Sequence, residues 1–184
     1  MNNPKPFCLT PKKFKVFVLG ADPTNFSDHG QPKQLEYVFG ILSDEPRYFS
    51  GILNNLNLIG LHLEDVYVQN LVQEYQNEET SRNKKWENIA EKWIDRLKAE
   101  FYRVNPSGNK PVLVTAERIM KFLVNDGVKV PRAKDIYSDT AETFIYVKPG
   151  ENRLNRPLFA FYRHPAYALG KRVRYQKFLA EKLR

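Results

Sequence analysis

Phe14-Lys15-Val16-Phe17-Val18-Leu19-Gly20 is a run rich in β-branched and aromatic residues that stops at a glycine, and Ala21-Asp22-Pro23-Thr24 follows it. Near-continuous apolar character over so few residues reads as a strand buried on both faces, the habit of strands in parallel sheets. Working outward, Asp65–Val72, Pro111–Thr115 and Leu158–Tyr162 carry the same signature. Between these runs the period changes. Trp86, Ile89, Ala90, Trp93, Ile94, Leu97 and Phe101 recur at helical spacing, one apolar stripe along an amphipathic helix. Arg47–Leu58 reads as a helix closed by Gly60, and Glu117–Asn125 as a short helix ended at Gly127. Lys171–Arg184 reads as a terminal basic helix whose Tyr175, Phe178, Leu179 and Leu183 form a docking side. Residues 73–85 are polar and predict an exposed loop; Thr143–Val147 is β-rich and predicts a hairpin arm or an edge strand.

Strands alternating with helices imply βαβ units. The prediction is a three-layer α/β/α sandwich around a central, mostly parallel four-stranded sheet. No repeat, low-complexity tract or Ser/Gly linker interrupts the 184 residues, so one domain over 1–184 is expected, with 1–13 as an N-terminal extension. Hydrophobic residues at 42% exclude a disordered chain, and no apolar run approaches a bilayer span. Met1–Pro11 is polar and carries Pro4 and Pro6 where a secretory leader needs an apolar stretch, which points to a cytoplasmic protein; a monomer with no membrane partner is expected. The lone Cys8 cannot make an internal disulfide or an all-cysteine metal cage. His29, His62 and His164 show no ligand spacing among themselves or with Cys8, so neither a metal nor another cofactor is expected.

In open α/β sheets ligands bind beyond the carboxyl ends of the strands. That rule selects the loop after Gly20, the end of the second strand and the end of the last strand. Each place holds one residue able to do chemistry, namely Asp22, Asn70 and His164. The G-x-G-x-x-G, G-x-x-x-x-G-K-[ST] and G-x-S-x-G patterns are all absent, so the dinucleotide, phosphate-loop and serine-hydrolase readings lack their motifs.

Gly20-Ala-Asp-Pro-Thr24 after a buried strand resembles the first motif of the uracil-DNA glycosylase superfamily. Tyr37-Val-Phe-Gly40 is similar to the aromatic stretch that follows that motif, and Val66–Val72 to the strand ending in the family's uracil-reading asparagine. Pro111–Ala116 and the helix after it resemble the third strand and helix, and His164-Pro-Ala-Tyr-Ala-Leu169 the last motif. The resemblance runs in order from residue 14 to 184 and falls on the predicted strand ends.

The resemblance implies a DNA glycosylase that flips uracil, or a related deaminated base, out of single- or double-stranded DNA and hydrolyses its N-glycosidic bond, the first step of base excision repair. Asp22 would stabilise the oxocarbenium-like sugar and position water, and His164 would donate to the departing base. Asn70 would read the N3–H and O4 edge of uracil, and Phe39 would stack on the flipped ring, with backbone contacts near Ala21. Tyr167 and Leu169 are the wedge candidates for the gap in the duplex, and Arg163, Lys171, Arg172 and Arg174 would neutralise phosphates. Six Lys or Arg against one Glu in residues 171–184 account for most of the net charge of +8.

The chain departs from the family pattern at Thr24, where classical members place a thymine-excluding tyrosine, and at Ala166, where they place a phosphate-binding serine. One cysteine cannot supply the iron–sulfur cluster of another branch. Taken residue by residue, Asp22-Pro23 also reads as a turn initiator, Asn70 as a loop cap, His164 as a satisfied core histidine and Phe39 as a core aromatic. A catalytically inactive nucleic-acid-binding protein on the same fold is therefore the alternative.

Overall fold

The computed structural model describes residues 2–24, 33–43, 47–136, 146–162 and 169–183. Within them lie β1 (Val16–Gly20), α1 (Arg47–Leu58), β2 (Val66–Asn70), α2 (Trp86–Val104), β3 (Val112–Val114), α3 (Glu117–Leu123), α4 (Ala133–Ile136), β4 (Leu158–Ala160) and α5 (Val173–Lys182). The four strands form one all-parallel sheet in the order β2-β1-β3-β4. The protein is thus an α/β fold, and every strand residue is buried, as the near-continuous apolar runs require.

Strand register sorts the core into two rows, because successive side chains point to opposite faces. Tyr67, Phe17, Val112 and Leu158 share one row. There Phe101 of α2 stacks on Phe17, with centroids 3.9 Å apart and planes at 21°. Val68, Val18, Leu113 and Phe159 form the opposite row, against which α5 packs through Phe178, 6.2 Å from Phe159. Tyr175 of α5 also donates its hydroxyl to the Ala160 carbonyl at 2.7 Å.

The α2 stripe buries Trp86, Ala90, Ile94, Leu97 and Phe101, and the helix runs to Val104. Polar groups on that face are paired. Tyr67 Oη, Gln69 Nε2 and Gln73 Nε2 all donate to the Glu100 carboxylate, at 2.7, 2.8 and 2.9 Å. Burial, reinforced by the Glu100 bond, pushes the Tyr67 phenol far above its ordinary pKa. At the other end of β2, Asp65 accepts from the His62 N–H at 2.9 Å and pairs with Lys15 at 3.0 Å.

In the N-terminal extension Phe7 is buried and exchanges two backbone bonds with Val68 that cover the free edge of β2. Two expectations are revised. Residues 73–85 are not wholly exposed: Gln73 and Asn83 are buried, and both are hydrogen-bonded. Polar composition alone does not distinguish water from a protein partner. The basic terminal helix starts at Val173, after a 3-10 turn at Leu169–Lys171. Of the β-rich segment Thr143–Val147, Val147 makes an antiparallel bridge to Leu158, and residues 143–145 lie outside the described residues. Among the described residues no helix is long and apolar enough to cross a membrane.

Candidate functional site

β1 sends its chain to β2 on one side, whereas β3 sends its chain to β4 on the other. The carboxyl ends of β1 and its neighbours are therefore the crevice where ligands bind in such sheets. Gly20 and Asn70 end their strands in register, and the pairing continues through Leu71 N–H to the Gly20 carbonyl and Val72 N–H to the Ala21 carbonyl, both 2.8 Å. This pairing places Ala21 and Asp22 directly beside the end of β2.

A side chain at position 20 has no room. A Cβ there would lie 2.3 Å from Asn70 Oδ1 and 2.4 Å from Phe39 Cζ. The same distances establish that the Asn70 amide and the tip of the Phe39 ring converge over Gly20. Phe39 reaches this point from a 3-10 turn at Val38–Gly40 in which its own φ is +60°. A left-handed conformation costs a non-glycine residue about 1–2 kcal/mol, and such strain concentrates at ligand sites.

Asn70 is buried at 2% exposure, and its backbone N–H is satisfied by Gln69 Oε1 at 2.9 Å. Its side-chain amide, by contrast, makes no hydrogen bond among the described residues. Neither amide atom is among the fully buried unpaired polar atoms of the described residues, so the amide opens to solvent. An amide left open against an aromatic edge offers one donor and one acceptor to a planar ligand.

Asp22 is held from three directions. Its Oδ1 accepts the Thr24 N–H at 2.9 Å, closing an Asx turn, while Oδ2 accepts the Thr80 hydroxyl at 2.5 Å and the Trp86 indole N–H at 3.0 Å. Thr24 is tied outward too, its hydroxyl accepting the Gln76 N–H at 2.7 Å. The segment bearing Thr80 is pinned by Arg118 of α3. That guanidinium donates to the Thr80 carbonyl, to the Asn83 carbonyl at 2.8 Å and through two bonds of 2.7 Å to Glu87. It also lies over the Trp86 ring, 5.3 Å from its centroid. The Arg118 hydrogen bond, opposed by burial, holds the Glu87 carboxyl below its usual range.

Asp22, Phe39, Asn70 and Ala21 are thus gathered at the ends of β1 and β2. His164, Arg163 and Tyr167 lie outside the described residues. Leu169 is fully buried in a turn packed on α1, so it cannot serve as a wedge in this conformation; its apolar character belongs to the core. Lys171 and Arg174 are exposed and Arg172 is half-buried, all on the segment after β4. With strands about 4.8 Å apart, β4 stands roughly 10 Å from β1 and about 14 Å from β2, at the far edge of the sheet. Thr80, Trp86 and Arg118 carried no local signal of a site, because only tertiary contact brings them to Asp22. No group of three or more His, Cys, Asp and Glu among the described residues could hold a metal ion.

The crowding over Gly20 makes a prediction. Gly20→Ala is expected to leave the fold intact, since the obstructing atoms all belong to the Asn70 and Phe39 side chains and none to the backbone, at a cost of about 1–3 kcal/mol in urea unfolding. The Asn70 side-chain amide resonances should shift in the variant, as the new methyl displaces that group. Unchanged resonances would mean that Asn70 and Phe39 do not meet at this point. In comparisons with known proteins, no family model matches the chain, and no curated protein matches it in sequence.

Proposed function

We propose that the protein is a monofunctional DNA glycosylase, acting in the cytoplasm, that hydrolyses the N-glycosidic bond of uracil or a related deaminated base after the base has been flipped from the DNA. The observation that carries the reading is the unpartnered Asn70 amide facing the Phe39 ring over Gly20, two residues before Asp22. A flipped pyrimidine needs a flat apolar surface and a donor–acceptor edge, and Phe39 and Asn70 are of those two types. Cleavage of the sugar–base bond builds positive charge on the sugar, which a nearby carboxylate stabilises while it orients water. Asp22, two residues after Gly20, is proposed as that carboxylate. His164 is proposed, from the sequence resemblance, as the donor to the departing base. Arg163, Tyr167, Lys171, Arg172 and Arg174 are proposed to face the DNA.

The alternative, a catalytically inactive nucleic-acid-binding protein on the same fold, draws support from Asp22 itself. Three donors on one carboxylate also describe a residue that braces a loop.

An end-labelled oligonucleotide carrying one uracil, incubated with the protein and then treated with alkali, separates the two readings. The glycosylase produces a strand break at uracil and none at a matched cytosine. Asn70→Leu should then reduce the preference for uracil over cytosine by about ten- to a hundredfold, the worth of one or two buried hydrogen bonds. No break above that of an Asp22→Asn, His164→Ala double variant overturns the glycosylase reading. DNA retention that weakens with salt would then support the inactive binder.

A further inference from the structure

The bonding of Asp22 assigns a role to residues that no motif marks. We infer that Thr80 and Trp86 are positioning residues for Asp22, turning its carboxylate so that a single acceptor site, on Oδ1, is left for the reacting water. The inference rests on the glycosylase reading and deepens it.

A carboxylate offers about four acceptor sites, two on each oxygen. On Oδ2 both are taken, by the Thr80 hydroxyl at 2.5 Å and the Trp86 indole N–H at 3.0 Å. On Oδ1 the Thr24 N–H takes one, at 2.9 Å. One site remains. The donors that select it differ in chemistry. The indole can only donate, so it cannot adapt to a rotated carboxylate, and Trp86 is fully buried at the first residue of α2. Thr80 can rotate its hydroxyl, but its backbone is pinned, because Arg118 donates to its carbonyl and to that of Asn83 while gripping Glu87 with two bonds. Arg118 stands at the start of α3, immediately beyond β3. The chain of contact therefore runs from α3 to the 80–86 segment and on to the loop after β1.

This arrangement has a functional consequence that loop bracing alone does not require. Bracing does not depend on which acceptor site stays open. Saturating one oxygen and leaving a single open site on the other fixes the direction from which water can be held. A group that only stabilised the loop would affect folding, whereas a group that aims Asp22 affects turnover.

The test uses the full-length protein and the single-uracil oligonucleotide. Thr80→Val removes the hydroxyl at constant shape, and Trp86→Phe removes the indole N–H while keeping an aromatic ring in the core. Each is expected to lower kcat by on the order of ten- to a hundredfold, the effect of misplacing a reacting group, with KM within about twofold of wild type. Thr80→Ser, which restores the hydroxyl, should recover the rate. A second measurement is independent of activity. The chain has two tryptophans, Trp86 and Trp93, so its amide spectrum shows two indole N–H resonances, assigned by Trp93→Phe. The Trp86 resonance should shift in Asp22→Asn and Thr80→Val, while the Trp93 resonance stays in place. Full kcat in Thr80→Val and Trp86→Phe, in an active wild-type background, overturns the inference alone. An unmoved Trp86 resonance in Asp22→Asn overturns the geometry on which it stands. An inactive wild-type protein overturns the glycosylase reading and the inference with it.

Discussion

Asp22→Asn is expected to lower the rate of uracil release by on the order of 10²- to 10⁴-fold, the usual worth of a positioned base or charge at a reacting centre. Two effects add. The substitution removes the negative charge that would face the oxocarbenium-like sugar. It also replaces one acceptor oxygen by an NH₂ group, although both oxygens of Asp22 accept hydrogen bonds here. With its NH₂ at Oδ1 the asparagine opposes the Thr24 N–H; with its NH₂ at Oδ2 it opposes the Trp86 indole. Either orientation leaves a donor unmet, at about 1–3 kcal/mol. The variant should therefore unfold at lower urea than wild type, and its activity must be measured well below that midpoint. Single-turnover kinetics on the uracil oligonucleotide provide the check. A rate within threefold of wild type would remove Asp22 from the chemistry and leave it as a loop brace.

Arg156→Met should produce the largest loss of stability of any single substitution considered for this chain. Arg156 is 1% exposed, and its guanidinium makes three hydrogen bonds at the end of α2. It donates to the Asn105 side-chain oxygen at 2.6 Å, the Phe101 carbonyl at 3.0 Å and the Asn105 carbonyl at 2.9 Å. The last carbonyls of a helix carry its negative partial charge, and these two each take one backbone N–H already, so the buried cation fills a second acceptor site on each. The same group lies 5.1 Å from the Phe17 centroid and 6.0 Å from that of Phe101, joining the cap to the aromatic stack between sheet and helix. Burial pushes the guanidinium pKa down and Tyr102 opposes it; arginine nonetheless stays charged in proteins. Methionine fills much of the volume but removes three charged hydrogen bonds, leaving each acceptor only its one backbone donor: Asn105 N–H on the Phe101 carbonyl, Gly108 N–H on the Asn105 carbonyl and Lys110 N–H on Asn105 Oδ1. The expected loss is about 3–5 kcal/mol in urea unfolding at unchanged m-value, or a drop in Tm of roughly 10 °C or more. Arg156→Lys should recover only part of it, since an ammonium cannot span the three acceptors as the fork does. A loss below about 1 kcal/mol would mean that water replaces the guanidinium at the helix end.

The elements that were legible in the sequence are those whose signal is local. The run ending at Gly20 is a buried strand, the 47–58 helix has the predicted bounds, and the stripe beginning at Trp86 is the face of α2 that enters the core. The rule that ligands sit at strand ends brought Asp22 and Asn70 to one place because Gly20 and Asn70 end their strands in register. Leu169 shows where local reading fails. Next to a basic stretch an exposed apolar residue and a core residue look alike, and the structure buries this one. The 73–85 segment failed for a similar reason: Gln73, Thr80 and Asn83 are polar because they have partners in the protein, not because they face water.

The sequence by itself determined an α/β chain with parallel, doubly buried strands, since side-chain periodicity and burial are written in neighbouring residues. It also marked Asp22, Phe39 and Asn70 as candidates. Only the tertiary structure decided the order β2-β1-β3-β4, the meeting of Phe39 with Asn70 over Gly20, and the hold on Asp22 by Thr80 and Trp86. Those contacts join residues 58 and 64 positions apart, and no local propensity encodes such a pairing. They form because burying Trp86 and ordering the 80–86 segment leave two donors that need an acceptor, and the end of β1 presents one.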